Sequence, residues 1–141
     1  MEDKLQVSDV FQAKKRIKDY VKVTPLVRAE NLEKLFDGAE IWLKLENMQY
    51  TGAFKLRGVS NKMLTTQKEE LQKGVTAASS GNHAQAVSYM AQQLGVKATI
   101  VMPENAPKAK IKGAKGYGAE VVFAGFTGQD RDENNDYNIA R

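Results

Sequence analysis

Three short apolar runs, VTAAS at 75–79, VKATIVMP at 96–103 and AEVVFAG at 119–125, are separated by two segments of helical periodicity. In HAQAVSYMAQQLG, Ala84, Val87, Ala91 and Leu94 recur at the spacing of one helix face, and Gly95 stands where a helix would stop. In ENAPKAKIKGAKGYG, Pro107 falls in the first turn, where its missing N–H costs nothing. Strands that alternate with helices pair in parallel through right-handed crossovers. The expected fold class from Ala53 to about residue 123 is therefore α/β, an open parallel sheet with flanking helices. Ligands of such sheets sit beyond the carboxyl ends of the strands, where the sequence reads SSGN. VTAAS, with little polar alternation, reads as a buried strand.

The preceding stretch is less regular. Ser8 can cap a helix with Val10, Ala13, Ile17 and Val21 on one side, ending before Thr24-Pro25. AENLEKLF reads as a short helix closed by Asp37-Gly38. IWLKLE alternates Ile41, Leu43 and Leu45 with Trp42, Lys44 and Glu46, as a strand with two unlike faces would. NMQYTG breaks the pattern, and helix formers follow from Ala53 to about Leu64 before the polar TTQKEELQKG. The last residues, FTGQDRDENNDYNIAR, turn abruptly polar, as a frayed tail does.

Composition narrows the chemistry. The chain has no cysteine, so it has neither a disulfide framework nor a thiolate metal site, and one histidine, His83, cannot build a histidine metal cluster. No apolar stretch approaches the roughly 20 residues that span a bilayer. The N-terminus MEDKLQVSDV is acidic where a signal peptide is basic, which points to a cytoplasmic protein. The net charge of +4 is mild; only Lys108, Lys110, Lys112 and Lys115 crowd together, without the interleaved aromatics of a nucleic-acid platform, and read as a solvated helix face.

Two stretches could carry chemistry. In VTAASSGNHAQA a strand runs through small residues into a helix N-terminus, so the N–H groups of Ser80, Gly81 and Asn82 could point outward as a cradle for a carboxylate or phosphate. Ser79, Ser80 and Asn82 add side-chain donors; equally, Ser80 or Asn82 could simply cap the helix. In TGAFKLRG, Lys55 follows Phe54 on a turn entering a helix. Burial against apolar groups would lower its amine from the ordinary value of about 10.4 and make it nucleophilic. A surface lysine beside Arg57 is the plainer alternative.

Taken in order, WLKLENMQ, TGAFKLRG, SSGNHAQA and ATIVMPENAPKAKIKGAKGYGAEVV resemble the pyridoxal-phosphate-dependent threonine dehydratases (threonine ammonia-lyases). These are fold type II pyridoxal enzymes, tryptophan synthase β-like, alongside serine dehydratase and serine racemase. The resemblance runs over roughly residues 8 to 125. It implies β-elimination of L-threonine to 2-oxobutanoate and ammonia, and of L-serine to pyruvate. It further implies that Lys55 forms the Schiff base with pyridoxal phosphate and then handles the Cα proton, with Phe54 against the cofactor ring. Asn82 would meet the cofactor's phenolic oxygen, and Ser79, Ser80, Gly81, Asn82 and His83 would hold the substrate carboxylate. In racemase relatives the second serine of this loop works on the opposite face, which maps to Ser80. A small amino acid as substrate, homo-oligomers, and no nucleic-acid or membrane partner go with the family.

The pattern also departs from the family. Ala53 stands where many members have serine, and the glycine-rich phosphate loop and the residue facing the pyridine nitrogen have no counterpart. The resemblance thus implies an incomplete fold, with 1–50 starting a large cofactor domain, 51–125 forming a small α/β domain and 126–141 a polar tail. A truncated or frame-altered dehydratase gene product is the corresponding expectation.

Overall fold

The computed structural model describes residues 5–125. The expected frayed tail, 126–141, lies outside them. Helix α1 (Val7–Ile17) begins one residue before the expected Ser8 cap, and its first turn is closed by the Asp9 carboxylate accepting the Gln6 N–H at 2.7 Å. Of its expected apolar stripe, Ile17 and, just beyond the helix, Val21 are buried, whereas Val10 is exposed. The helix packs on α3 (Lys55–Thr65) through this end.

Between them lie β1 (Leu26–Arg28), α2 (Glu30–Glu33) and β2 (Trp42–Lys44). The two strands pair antiparallel with Val27 opposite Leu43. Arg28 closes this small unit by pairing with Glu33 at 2.9 Å, and Glu33 also accepts the Ile41 N–H at 3.0 Å. Two unlike faces are expected for IWLKLE; instead all three residues of β2 are exposed. The reason is that, among the described residues, no further layer packs on this two-stranded ribbon to bury either face.

The polar stretch after α3 contains a helix not expected from its composition, α4 (Lys68–Gln72), anchored by half-buried Leu71 against the core. A parallel sheet follows, with β3 (Val75–Ala78) and β5 (Glu120–Phe123) on either side of β4 (Ala98–Met102). Ala77 stands opposite Ile100, and Ile100 opposite Val121. The crossovers are α5 (Asn82–Leu94) and α6 (Lys108–Gly116). The expected open α/β sheet is therefore observed. VTAAS is not a fully buried strand, however: Ala77 is buried and Thr76 exposed, because β3 is an edge strand among the described residues.

The core lies where α5 meets the sheet, with α3 and α6 at its sides. Leu56, Met90, Ile100 and Met102 are wholly buried there. The small residues Ala84, Ala86 and Ala91 on α5 let its neighbours approach closely. Gly95 ends α5 in the left-handed conformation, φ +65°, as the sequence predicts. Among the described residues, no helix is long and apolar enough to cross a membrane.

Candidate active site

Lys55 is the first residue of α3, and the backbone reaches it through a tight turn in which Gly52 adopts φ +69°. That turn is held from several sides. Gln49, buried, accepts the Lys22 N–H at 2.8 Å and donates to the Lys22 carbonyl at 3.0 Å. Arg57, two residues beyond Lys55, donates to both carboxylate oxygens of Glu46 at 2.9 and 2.7 Å and to the Lys22 carbonyl at 3.1 Å. Thr24 donates to the same carboxylate at 2.5 Å. Across the turn, Tyr50 stacks on Tyr89 with ring centroids 5.5 Å apart, and the Tyr117 hydroxyl reaches the Tyr50 carbonyl at 3.4 Å. The arginine beside Lys55 thus anchors the N-terminal segment to α3.

The lysine itself is exposed, which is the plainer of the two readings its motif allows. Its Nζ lies 5.2 Å from the centroid of the Phe54 ring, which is also largely exposed. Both residues line an open cleft of about 670 Å³ whose walls include Val59, Met63 and Ala77. His83 of α5 also lines it. Partial shielding holds the His83 imidazole below its ordinary value, and the positive charge of Lys55 lowers it further.

The SSGN loop starts as a continuation of β3, with the Ser79 N–H on the Val101 carbonyl at 3.0 Å. Gly81 is the N-cap of α5 and, among the described residues, no side chain caps the helix, so neither Ser80 nor Asn82 plays the capping role. The outward cradle is smaller than expected, because the Gly81 N–H turns back to Ser79 Oγ at 3.3 Å. The N–H groups of Asn82, His83 and Ala84 belong to the first turn, where a helix supplies no acceptor. With the partial positive charge of the helix end, they favour an anion.

One contact has no signature in the motifs. Lys110 of α6, read as part of a solvated lysine run, donates to Asn82 Oδ1 at 2.6 Å and to Gln85 Oε1 at 3.2 Å. The usable signal is periodicity: Lys110 shares a helix face with buried Ala114 and half-buried Tyr117, while Lys108, Lys112 and Lys115 point to solvent.

An exposed amine that shares a cleft with the second residue of a helix whose first-turn N–H groups lack a side-chain cap fits an aldehyde carrying an anionic group. Comparisons with known proteins point the same way. The family model for pyridoxal-phosphate dependent enzymes matches residues 17–141. The chain is 48% identical over 121 residues to the catabolic L-threonine dehydratase of Staphylococcus aureus (strain USA300), a match covering 86% of this chain and 35% of that protein. It therefore spans about a third of the length of the curated relatives it matches. Maize serine racemase superposes with a TM-score of 0.86 at 32% identity, over 96% of this chain and 39% of that one. The threonine deaminase of T.th. gives 0.78 at 46% identity, over 92% and 40%. Fold, cleft and sequence agree that this chain belongs to the pyridoxal-phosphate-dependent enzyme family.

Proposed function

We propose that the chain carries the lysine and the carboxylate-binding loop of a β-eliminating site that converts L-threonine to 2-oxobutanoate and ammonia, and L-serine to pyruvate. The observation that supports this most directly is the convergence of Lys55 and His83, from the starts of α3 and α5, on one cleft. Similarity to the threonine dehydratase of Staphylococcus aureus favours threonine as the substrate. A cytoplasmic location and assembly into homo-oligomers go with the same reading.

Pyridoxal phosphate, when bound, supplies an electron sink for the negative charge that forms at Cα. The residues of this chain supply position and proton handling. Lys55, as a free amine, takes the proton from Cα; its exposure at the cleft leaves Nζ able to reach a substrate carbon. The first-turn N–H groups of α5 receive the substrate carboxylate, with Ser79, Ser80 and His83 around it. Phe54 offers a ring face beside the lysine, and the Asn82 amide would help to hold the cofactor by donating to its phenolic oxygen. The β-hydroxyl leaves as water, so it must receive a proton as its C–O bond breaks.

The test is reduction with borohydride after adding pyridoxal phosphate to the purified chain, with Lys55→Ala as control, followed by peptide mapping. Label concentrated on Lys55 is expected, with little or no 2-oxobutanoate formed by the 141-residue chain. Label spread evenly over the lysines would defeat the reading.

A second reading, serine racemisation, is favoured by the superposition on maize serine racemase. It requires Ser80 to deliver a proton to the face opposite Lys55. In a racemase, Ser80→Ala would abolish inversion while elimination continued. A non-catalytic anion-binding or partner-binding module would instead bind pyridoxal phosphate or threonine in a calorimetric titration with no product formed.

A further inference from the structure

The Asn82 side chain is an exposed amide at the start of α5 whose two ends are a donor and an acceptor, and only its surroundings decide which end is left open. Lys110 decides it. An ammonium has donors and no acceptor, so the 2.6 Å contact from Lys110 Nζ can only be made to Asn82 Oδ1. The NH2 group is thereby turned away from Lys110, and it has no partner among the described residues. A free donor at this position suits an oxygen anion; the reversed amide would present a lone pair and repel it.

The lysine is itself held. Gln85, one turn further along α5, accepts from Lys110 Nζ at 3.2 Å. Gln85 lies across α6 at Gly113, where an added Cβ would come within 2.1 Å of its Nε2. A residue without a side chain at 113 is what lets Gln85 occupy that place. The arrangement also runs against the stability of α5. A cation beside a helix N-terminus opposes the macrodipole. Lys110 therefore serves what binds at the helix start more than it serves the helix.

We infer that Lys110, set by Gln85 in the space left by Gly113, is a positioning residue that fixes the Asn82 amide with its NH2 group free for an anionic oxygen of the bound group. This deepens the function proposed above and rests on it.

The experiment uses the 141-residue chain as wild type, Lys110→Met, Lys110→Arg and Gly113→Ala. Three quantities are read: the thermal midpoint, the side-chain amide resonances of Asn82 without cofactor, and the dissociation constant for pyridoxal phosphate with borohydride trapping at Lys55. Lys110→Met is expected to keep or raise the thermal midpoint, to shift the Asn82 amide resonances and to weaken cofactor binding about tenfold. Lys110→Arg, another donor-only cation, should return binding to within about twofold of wild type. Gly113→Ala, which displaces the Gln85 amide, should fall between wild type and Lys110→Met. Asn82 resonances that are identical in wild type and Lys110→Met overturn the inference, as does unchanged binding. If wild type takes no cofactor at Lys55, the proposed function fails. The Asn82 resonances then still decide whether Lys110 orients the amide, a shift supporting it and no shift overturning it.

Discussion

The guanidinium of Arg57 holds both carboxylate oxygens of Glu46, through Nε at 2.9 Å and Nη2 at 2.7 Å, and so ties α3 to the segment before it. A planar fork matched to a carboxylate is a task lysine cannot perform. Both side chains are largely shielded, with 32% and 17% of their surfaces exposed. Removing one partner leaves the other incompletely paired, which costs more than a surface ion pair is worth. Arg57→Met is expected to lower stability by about 2 kcal/mol, and Arg57→Lys by nearly as much, in urea unfolding. A loss below about 0.5 kcal/mol for both would place this pair with ordinary surface pairs.

Acid should release the same clamp. The Arg57 hydrogen bonds, then Thr24 and the charges of Arg57 and Lys44, outweigh the cost of burial and hold Glu46 below the ordinary carboxyl value of 4.5. A group depressed in the folded state binds fewer protons there than in the unfolded chain, so stability rises with pH through that window. The contribution is complete above about 4.5 and is lost as pH falls through the folded value. Stability measured against pH should therefore show wild type and Glu46→Gln converging below pH 4.5 and separating above it. Parallel curves would exclude Glu46 as the titrating group.

His83 is the sole histidine, so its titration is readable without assignment by mutation. Shielding in the cleft and the neighbouring charge of Lys55 both favour the neutral imidazole. A proton NMR titration should give a midpoint below 6.5, and Lys55→Ala should raise it part of the way back. The linked stability is full above 6.5 and declines as pH falls toward the folded midpoint. A midpoint indifferent to Lys55→Ala would mean the two side chains do not share a cleft in solution.

The alternation of strands and helices is legible because it rests on periodicity and on glycines such as Gly95, which local chemistry determines. The positions of Lys55 and His83 on a common cleft follow from that topology, since both stand at helix starts. What stays hidden depends on contacts distant in sequence. Glu46 to Arg57, Gln49 to Lys22 and Lys110 to Asn82 are hydrogen bonds between segments 11 to 28 residues apart, and none alters a local pattern. Whether Lys55 is buried is not decided by its motif: it stands exposed at an open cleft, beside a Phe54 ring that is itself exposed. The extra helix α4 escapes a sequence reading because a polar run of five residues carries too little apolar signal, and Leu71 alone anchors it.

Two serines, both with 0% exposure, should respond oppositely to the same substitution. Ser88 Oγ donates to the Ala84 carbonyl at 2.8 Å, whereas Ser60 Oγ is buried with no hydrogen-bond partner among the described residues. Leaving a buried hydroxyl unpaired costs about 1–3 kcal/mol, so deleting it removes a penalty. Ser60→Ala should leave stability unchanged or raise it by about 1 kcal/mol, and Ser88→Ala should lower it by about 0.5–1 kcal/mol. Denaturant midpoints measured at matched slopes decide it, and a loss in Ser60→Ala comparable with that in Ser88→Ala would show that Ser60 Oγ is paired in solution.

On the β1–β2 ribbon Val27 and Leu43 share one face and Leu26 and Trp42 lie on the other, each at least 39% exposed, with no further layer over them among the described residues. Apolar side chains exposed on both faces of one ribbon favour association over solvation. Trp42 is the only tryptophan in the chain and reports on that surface directly. At low concentration its emission should be that of an exposed indole, readily quenched by iodide. As concentration rises, emission should move to shorter wavelength and quenching fall, while Leu26→Lys should keep both at their dilute values by placing a charge on the face that carries Trp42. Emission and quenching independent of concentration would show that the ribbon stays solvated, and that the open sheet carries enough polar surface to keep the chain apart.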